Sequence, residues 1–274
     1  MKSALSNLSR HVVLGMLAIV QIAPIAVMVI NSLRSDTEIK AGLIGWPSAP
    51  VWDNYAAAWV KGQYRSAFVN SILIGILVSL LVVACNAMAS YAMTKLNIYG
   101  HHFFTAYFIS ALAIPSFAIM VPLYFVFQKL GLVNTHAGIV IILAALNIPF
   151  TLLFLRAFFL GIPKELEEAA KIDGCSEFRA FTSILLPLAK PIVSTVILIV
   201  FVATWNEFLF SNTFLQSDAL RTVSLRFYHF QGKYSSNLAY IFTAGCMTLA
   251  PIAALFLGLQ RSFIDGMMQG GLKG

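Results

Sequence analysis

Six long apolar stretches, divided by short polar segments, organise the chain: Val12–Ile30, Phe68–Met93, Phe103–Phe127, Ala137–Leu160, Ile192–Phe210 and Leu238–Leu259. Each runs for 19 to 26 residues, and together their 135 residues carry only two formal charges, Arg156 and Glu207. About 20 apolar residues rising ~1.5 Å each cross a hydrocarbon core of ~30 Å. No water reaches backbone N–H and C=O groups in that core, so each stretch must satisfy them internally as a helix. Alternation with the period of a strand is absent, which excludes a membrane barrel. The pattern therefore predicts an all-α polytopic membrane protein with six transmembrane helices.

Composition strengthens this reading. Of 274 residues, 59% are hydrophobic and 11% charged, whereas a soluble domain is roughly half apolar and about a quarter charged. Disordered, collagen-like and ordinary cytosolic enzyme classes are excluded. Three distant cysteines, Cys85, Cys175 and Cys246, form no CxxC pair, so neither a disulfide framework nor a metal knuckle can be read from them. The net charge of +7 fits cationic flanks of membrane spans and does not call for nucleic acid. Lys2 and Arg10 precede an apolar run longer than the core of a secretory signal, which reads as an uncleaved signal-anchor. Six spans put both termini on one side. That side holds ten Lys and Arg residues against eight on the other, a narrow bias placing the termini in the cytoplasm.

Three connections exceed a turn, at residues 33–67, 161–191 and 211–237, and long connections commonly carry function. The loop Gly161–Pro191 reads as helix, bend, helix. Pro163 suits a first helical turn, and Glu165, Glu167 and Glu168 favour the positive end of the helix dipole. Gly174 supplies a left-handed terminus, and Ser176 then caps a second helix. Ala169 and Ala170 leave little bulk, so that a partner surface can approach closely. An amphipathic connector lying on lipid headgroups would fit the same helix physics.

The residues go further than the physics. Glu168, Ala169, Ala170, Gly174, Ile184, Leu186 and Pro187 resemble, at every spacing, the EAA loop of bacterial ABC-importer permeases, with Asp173 also fitting and Cys175 standing where alanine is usual. The tail QRSFIDGMMQGGLKG and the run Trp205–Phe208 resemble the maltose-permease type of carbohydrate importer. The resemblance implies a five-helix permease core over residues 67–261, one extra span within 1–66, and a cytoplasmic tail over 262–274. It also implies a homologous permease subunit, two copies of an ABC ATPase and an extracytoplasmic sugar-binding protein as partners, besides membrane lipid. ATP and Mg would be bound by the ATPase, with no cofactor on this chain. In that scheme the EAA loop docks on the ATPase. Gly270, Lys273 and Gly274 touch the ATPase from the tail, and Phe227, Tyr228, Phe230 and Tyr234 face the binding protein.

The remaining candidates are weaker. Glu207, an acid inside a span, is either an interfacial carboxylate fixing a helix or part of the sugar path. Asn147 and Asn206 offer hydrogen bonds to a sugar and Trp205 a stacking face, although asparagines in spans also tie helices together. Arg156 snorkels to the headgroups. Pro115, Pro122, Pro149 and Pro251 kink their spans, and Gly75 with Ser79 suits close helix packing. No phosphate-binding loop, HExxH or GxSxG occurs, so no catalytic or metal residue is expected. A polyol or glycerol-phosphate importer of the same family is the neighbouring alternative. An ion-coupled secondary carrier needs several ionisable groups at the membrane midplane, and an intramembrane hydrolase needs a constellation that the chain lacks.

Overall fold

The computed structural model describes residues 2–96 and 98–271, and only the backbone of residues 2–9 and 261–271. Among these residues every regular element is helical. In chain order they are α1 (Lys2–Ser32), α2 (Asp36–Ala41), α3 (Asp53–Lys61), α4 (Tyr64–Lys95), α5 (His101–Leu112), α6 (Met120–Lys129) and α7 (His136–Gly161). There follow α8 (Glu165–Ile172), α9 (Glu177–Ala180), α10 (Leu186–Leu188), α11 (Lys190–Asn206), α12 (Leu209–Phe214), α13 (Val223–Lys233) and α14 (Leu238–Gly271).

Four helices are long and apolar enough to cross a membrane unbroken, Arg10–Ser32, Tyr64–Lys95, His136–Gly161 and Leu238–Gln260. The third apolar stretch bends at Pro115, where a kink is expected, sharply enough to break the helix, and the loop ahead of the fifth stretch bends at Ala189. His101–Leu112 and Ser116–Lys129 meet at 92°, and Glu177–Leu188 meets Lys190–Asn206 at 75°. The first break is chemical. Pro115 donates no hydrogen bond and disfavours helix at Ile114 before it, so the chain turns extended at Pro115 (φ −62°, ψ 120°) and restarts through a 3-10 turn at Ser116–Ile119. Hydropathy is blind to this, because both halves are equally apolar.

The chain divides into two compact units, one of residues 66–225 with the end of α14, the other of residues 1–65 with 226–251. In the first unit the core is a set of matched stripes. Ile74, Val78 and Val82 recur every fourth residue along α4, as do Ile192, Val196 and Val200 along α11. Ile139, Ile142, Leu143, Leu155 and Phe159 of α7 complete it. The opposite face of α4 is also apolar, with Leu73, Ile76 and Leu80 exposed, as a helix bordered by hydrocarbon requires. Apolar burial drives little association inside lipid, so packing and hydrogen bonds hold the spans together. Asn86 of α4 donates to the Ile148 carbonyl at 3.1 Å and to Thr151 Oγ1 at 2.6 Å. One turn on, Ser90 donates to the Leu152 carbonyl at 3.0 Å. The expected close approach at Gly75 is present, since a Cβ there would lie 2.7 Å from the Phe201 ring. Gly75→Leu is therefore expected to cost about 1–3 kcal/mol by overpacking, read as a lowered unfolding midpoint of the purified complex.

In the second unit the C-terminal end of α1 is held by polar side chains. Asn54 donates to the carbonyls of Ser32 and Arg34, both at 3.0 Å, and Thr243 donates to the Ser32 carbonyl at 3.1 Å. These satisfy acceptors that a helix end leaves open. Buried Arg34 donates to Asn31 Oδ1, the Gly42 carbonyl and the Glu38 carbonyl at 2.8–2.9 Å, folding residues 31–43 around its guanidinium. Ser35 and Glu38 form a capping box on α2. Hydrogen bonds from Ser48 and Ser35 hold the Glu38 carboxyl down to about 2.

Candidate functional site

The loop Gly161–Pro191 forms the predicted bent pair of helices. Ile162 leaves the helical region at φ −76°, ψ 127°, because the ring of Pro163 disfavours helix in the residue before it. Pro163 does not sit in the first turn as expected, for α8 begins at Glu165. The acids Glu165, Glu167 and Glu168 do occupy that turn. α8 closes in a Schellman arrangement. Gly174 adopts φ +76°, its N–H donates to the Lys171 carbonyl at 3.0 Å, and the Cys175 N–H reaches back to Ala170 at 2.9 Å. Ser176 then accepts from the Arg179 N–H at 3.3 Å and starts α9. Lys171 and Glu177 pair across the bend at 2.8 Å, and this partner raises the Lys171 pKa.

The two alanines do not behave alike. Ala169 is exposed on the outward face together with Glu168, Leu166 and Ile172, the last 86% exposed, whereas Ala170 is 3% exposed and faces inward. The expectation that both alanines lie open is corrected at Ala170, which is covered by the protein itself. Two adjacent helical positions differ by about 100°, so one face cannot present both fully. Asp173 is the exposed cap between α8 and the bend. In the second leg Phe181–Leu185 widens to a π turn, the Leu186 N–H donating to the Phe181 carbonyl. The widening comes immediately before Pro187, which has no N–H of its own. Ile184 and Leu186 are half-buried and Pro187 exposed, while Phe181 and Leu185 of the same leg are buried.

Sequence reading missed what the loop rests on. Lys95 Nζ meets Glu167 Oε1 at 2.7 Å, with only 4% of the lysine side chain and 10% of the glutamate side chain exposed. The same Nζ donates to the Ile162 carbonyl at 2.8 Å. One turn earlier on α4, Tyr91 donates to the Glu177 carboxylate at 3.0 Å, and its ring stacks on Phe181 at 5.0 Å between centroids. Beside them lies an apolar groove of about 280 Å³, lined by Met88, Ala92 and Phe178 among others. A signal existed, because Lys95 is the sole charge between Arg65 and Lys129.

The other candidates resolve differently. Trp205 offers no face to a sugar. It is 1% exposed, packed edge-on to Phe68 at 5.8 Å and stacked with Phe201 at 6.0 Å. Glu207 is not inside a helix as expected, since α11 ends at Asn206 and Glu207 is extended. Its carboxylate accepts from the N–H groups of Phe210 and Ser211 at 2.6 and 2.8 Å and from the Ser211 hydroxyl, so it caps α12. Asn147 donates to Leu143 of its own helix at 2.8 Å, and Asn206 is exposed. In residues 211–237, Phe230 is 3% exposed, against Tyr64 and Tyr234, and is a core residue of its unit rather than a contact surface. Tyr228 is exposed, and Phe227 and Tyr234 half-buried, Tyr234 lying between the Lys61 and Lys233 ammonium groups. Lys273 and Gly274 lie outside the described residues, and only backbone is described at Gly270. Among the described residues no three His, Cys, Asp or Glu side chains converge as metal ligands would.

Apolar helices with a bent, polar loop seated on their ends define a multi-pass membrane subunit. The sequence and fold comparisons agree. A family model described as "binding-protein-dependent transport system inner membrane component" matches residues 85–269. YurM of Bacillus subtilis, a probable ABC transporter permease protein, is 34% identical over 92% of this chain and 83% of its own. AraQ of Halalkalibacterium halodurans, an arabinooligosaccharides transport system permease protein, is 33% identical over 94% and 93%. MelC of Bacillus subtilis, a melibiose/raffinose/stachyose import permease protein, is 31% identical over all of both chains. A chain from the crystal structure of a bacterial ABC transporter involved in alginate import has the same fold, with a TM-score of 0.83 at 20% identity over 96% and 98% of the two chains. The chain belongs to the family of inner-membrane components of binding-protein-dependent transport systems. It is a transport permease subunit of an ABC importer, of the carbohydrate-uptake type to which AraQ and MelC belong.

Proposed function

We propose that this chain forms half of the translocation pathway of an ATP-driven carbohydrate importer, beside a homologous permease subunit, and that its loop at residues 161–191 docks on a cytoplasmic ATPase. The observation that carries the docking assignment is the left-handed bend at Gly174, which turns Glu168, Ala169 and Asp173 outward on a short exposed helix. A carboxylate beside a side chain no larger than methyl is what a groove with cationic walls can admit closely. The buried Phe181 and Leu185, with half-buried Leu186, tie the second leg back to the bundle. Names of relatives that import oligosaccharides support a carbohydrate as cargo.

In this reading the loop, both termini and the tail residues Gly270, Lys273 and Gly274 lie in the cytoplasm. The opposite connections, with Phe227, Tyr228 and Tyr234, face the extracytoplasmic binding protein. ATP and Mg are held by two ATPase copies, whose closure favours one conformation of the permease pair over the other by differential binding. This chain supplies no phosphate-binding loop. Its own part is to receive the displacement at the knuckle and to line the path with spans whose outer faces meet lipid.

The test is Ala169→Cys in a Cys175→Ala background. Disulfide cross-linking in membranes is expected to join position 169 to the ATPase subunit, and an impermeant thiol reagent added outside intact cells is expected to leave it unlabelled. Labelling from outside, or a position 169 that cross-links to no subunit, would overturn the assignment. Purified complex in vesicles should accumulate sugar with ATP and binding protein and be indifferent to a proton uncoupler.

A further inference from the structure

The last turn of α4 holds both legs of the knuckle. Tyr91 and Lys95 are four residues apart, so both project from one face of the helix. Lys95 bridges the first leg, through Glu167 at 2.7 Å, to the end of α7, through the Ile162 carbonyl at 2.8 Å. Tyr91 reaches the second leg through the Glu177 carboxylate at 3.0 Å and stacks on Phe181. Glu177 in turn pairs with Lys171 at 2.8 Å, closing the bend between the two legs. Glu167 precedes the EAA residues, and neither it nor Lys95 belongs to that motif.

A loop fixed only at its two ends yields when it is pushed. A loop held at two further points by a desolvated ion pair and a phenol hydrogen bond moves with the helix that holds it. Charges this far from water interact strongly and tolerate little change in geometry, because removing one partner leaves the other buried and unpaired. We propose that Lys95 and Tyr91 are positioning residues for coupling, a two-point clamp through which displacement of the loop is passed to span α4. This inference rests on the docking of the loop to an ATPase. Docking itself uses the outward face of α8, and the clamp uses the inward face, so the two functions separate in mutants.

The test is a double-mutant cycle in the assembled transporter, with Lys95→Met, Glu167→Met and the pair together, plus Tyr91→Phe, which keeps the ring and removes only the hydroxyl. Three quantities are read: ATPase subunit recovered per permease, ATP hydrolysis stimulated by sugar-loaded binding protein, and sugar moved per ATP. In Lys95→Met the ATPase is expected to be recovered at the wild-type ratio, while sugar moved per ATP falls by about tenfold or more. The double replacement is expected to be no worse than the single one, since neither charge is then left unpaired. Tyr91→Phe should lower sugar moved per ATP roughly two- to fivefold. The clamp is overturned by an unchanged transport-to-hydrolysis ratio in both Lys95→Met and Tyr91→Phe, or by losses that simply add in the cycle. It is equally overturned if Lys95→Met merely sheds the ATPase, which would make the pair a support for the docking surface. Failure of Ala169→Cys to cross-link to the ATPase, with Lys95 and Tyr91 intact, would instead remove the docking reading itself.

Discussion

Gly174→Val is expected to leave the protein in the membrane and to reduce ATP-driven uptake by roughly tenfold or more. The reason is conformational and local. Nothing lies within 4 Å of the space a Cβ would take at this glycine, so the substitution meets no steric wall. Its φ of +76° is the difficulty, because a β-branched residue resists the left-handed region by about 1–2 kcal/mol or more. The chain can relieve that strain by abandoning the bend, and it then loses the Gly174 and Cys175 hydrogen bonds that end α8. α9 and the Lys171–Glu177 pair no longer fold back over it, and the outward face of α8 changes direction relative to the second leg. Asparagine tolerates left-handed geometry, so Gly174→Asn should retain most uptake. Equal losses in the two variants would show that size at this position matters rather than backbone handedness. Wild-type uptake in Gly174→Val would remove the bend from the mechanism.

Gly138→Ala is expected to be worse for the fold than any exposed substitution in the loop. A Cβ there would stand 2.1 Å from the Leu132 carbonyl oxygen and 3.1 Å from Thr135 Oγ1. The first neighbour is backbone and cannot swing aside. It is also engaged, accepting from Thr135 Oγ1 at 2.7 Å, while that hydroxyl accepts from the Gly138 N–H at 3.0 Å and so caps α7. Moving Leu132 would disturb Asn134, which is left-handed at φ 59°. The Asn134 N–H donates to the Phe214 carbonyl at 2.7 Å, and its side chain accepts from the N–H groups of Gln216 and Ser217. One methyl group thus loads the helix cap and the junction with residues 214–217 together. The expected cost is about 3 kcal/mol, read as a large drop in monodisperse protein on size exclusion and a lower unfolding midpoint. A Gly138→Ala protein with the wild-type midpoint would show that the turn has an alternative path.

The knuckle is legible in the sequence because its determinants are local. Acids in a first turn, a glycine that accepts φ +76° without strain, and a serine cap within residues 165–176 act over one or two turns. The spans were legible for a related reason, since a long apolar run states its own environment. The position of Glu207 inside a span was misread because the sequence run Trp205–Phe208 does not announce that α11 stops at Asn206, whereas its alternative reading as a carboxylate that fixes a helix fits the bonds it makes. A single residue of helix end turns an acid inside a span into a cap for the helix that follows. Ala170 was misread as a docking position because composition names small residues without saying which way they face.

The sequence alone determined that this protein crosses a membrane as helices, and where a bent loop interrupts them. Each of those outcomes depends on residues close together in the chain. Only the tertiary structure decided that the third apolar run bends by 92°, that Phe230 and Trp205 are core, and that Lys95 meets Glu167 at 2.7 Å. That last contact joins residues 72 positions apart, and a lysine can pair with any acid that packing brings within reach. Choosing Glu167 over the other acids of the loop required the turn at Ile162 and the packing of α4 on α7, which no local pattern encodes.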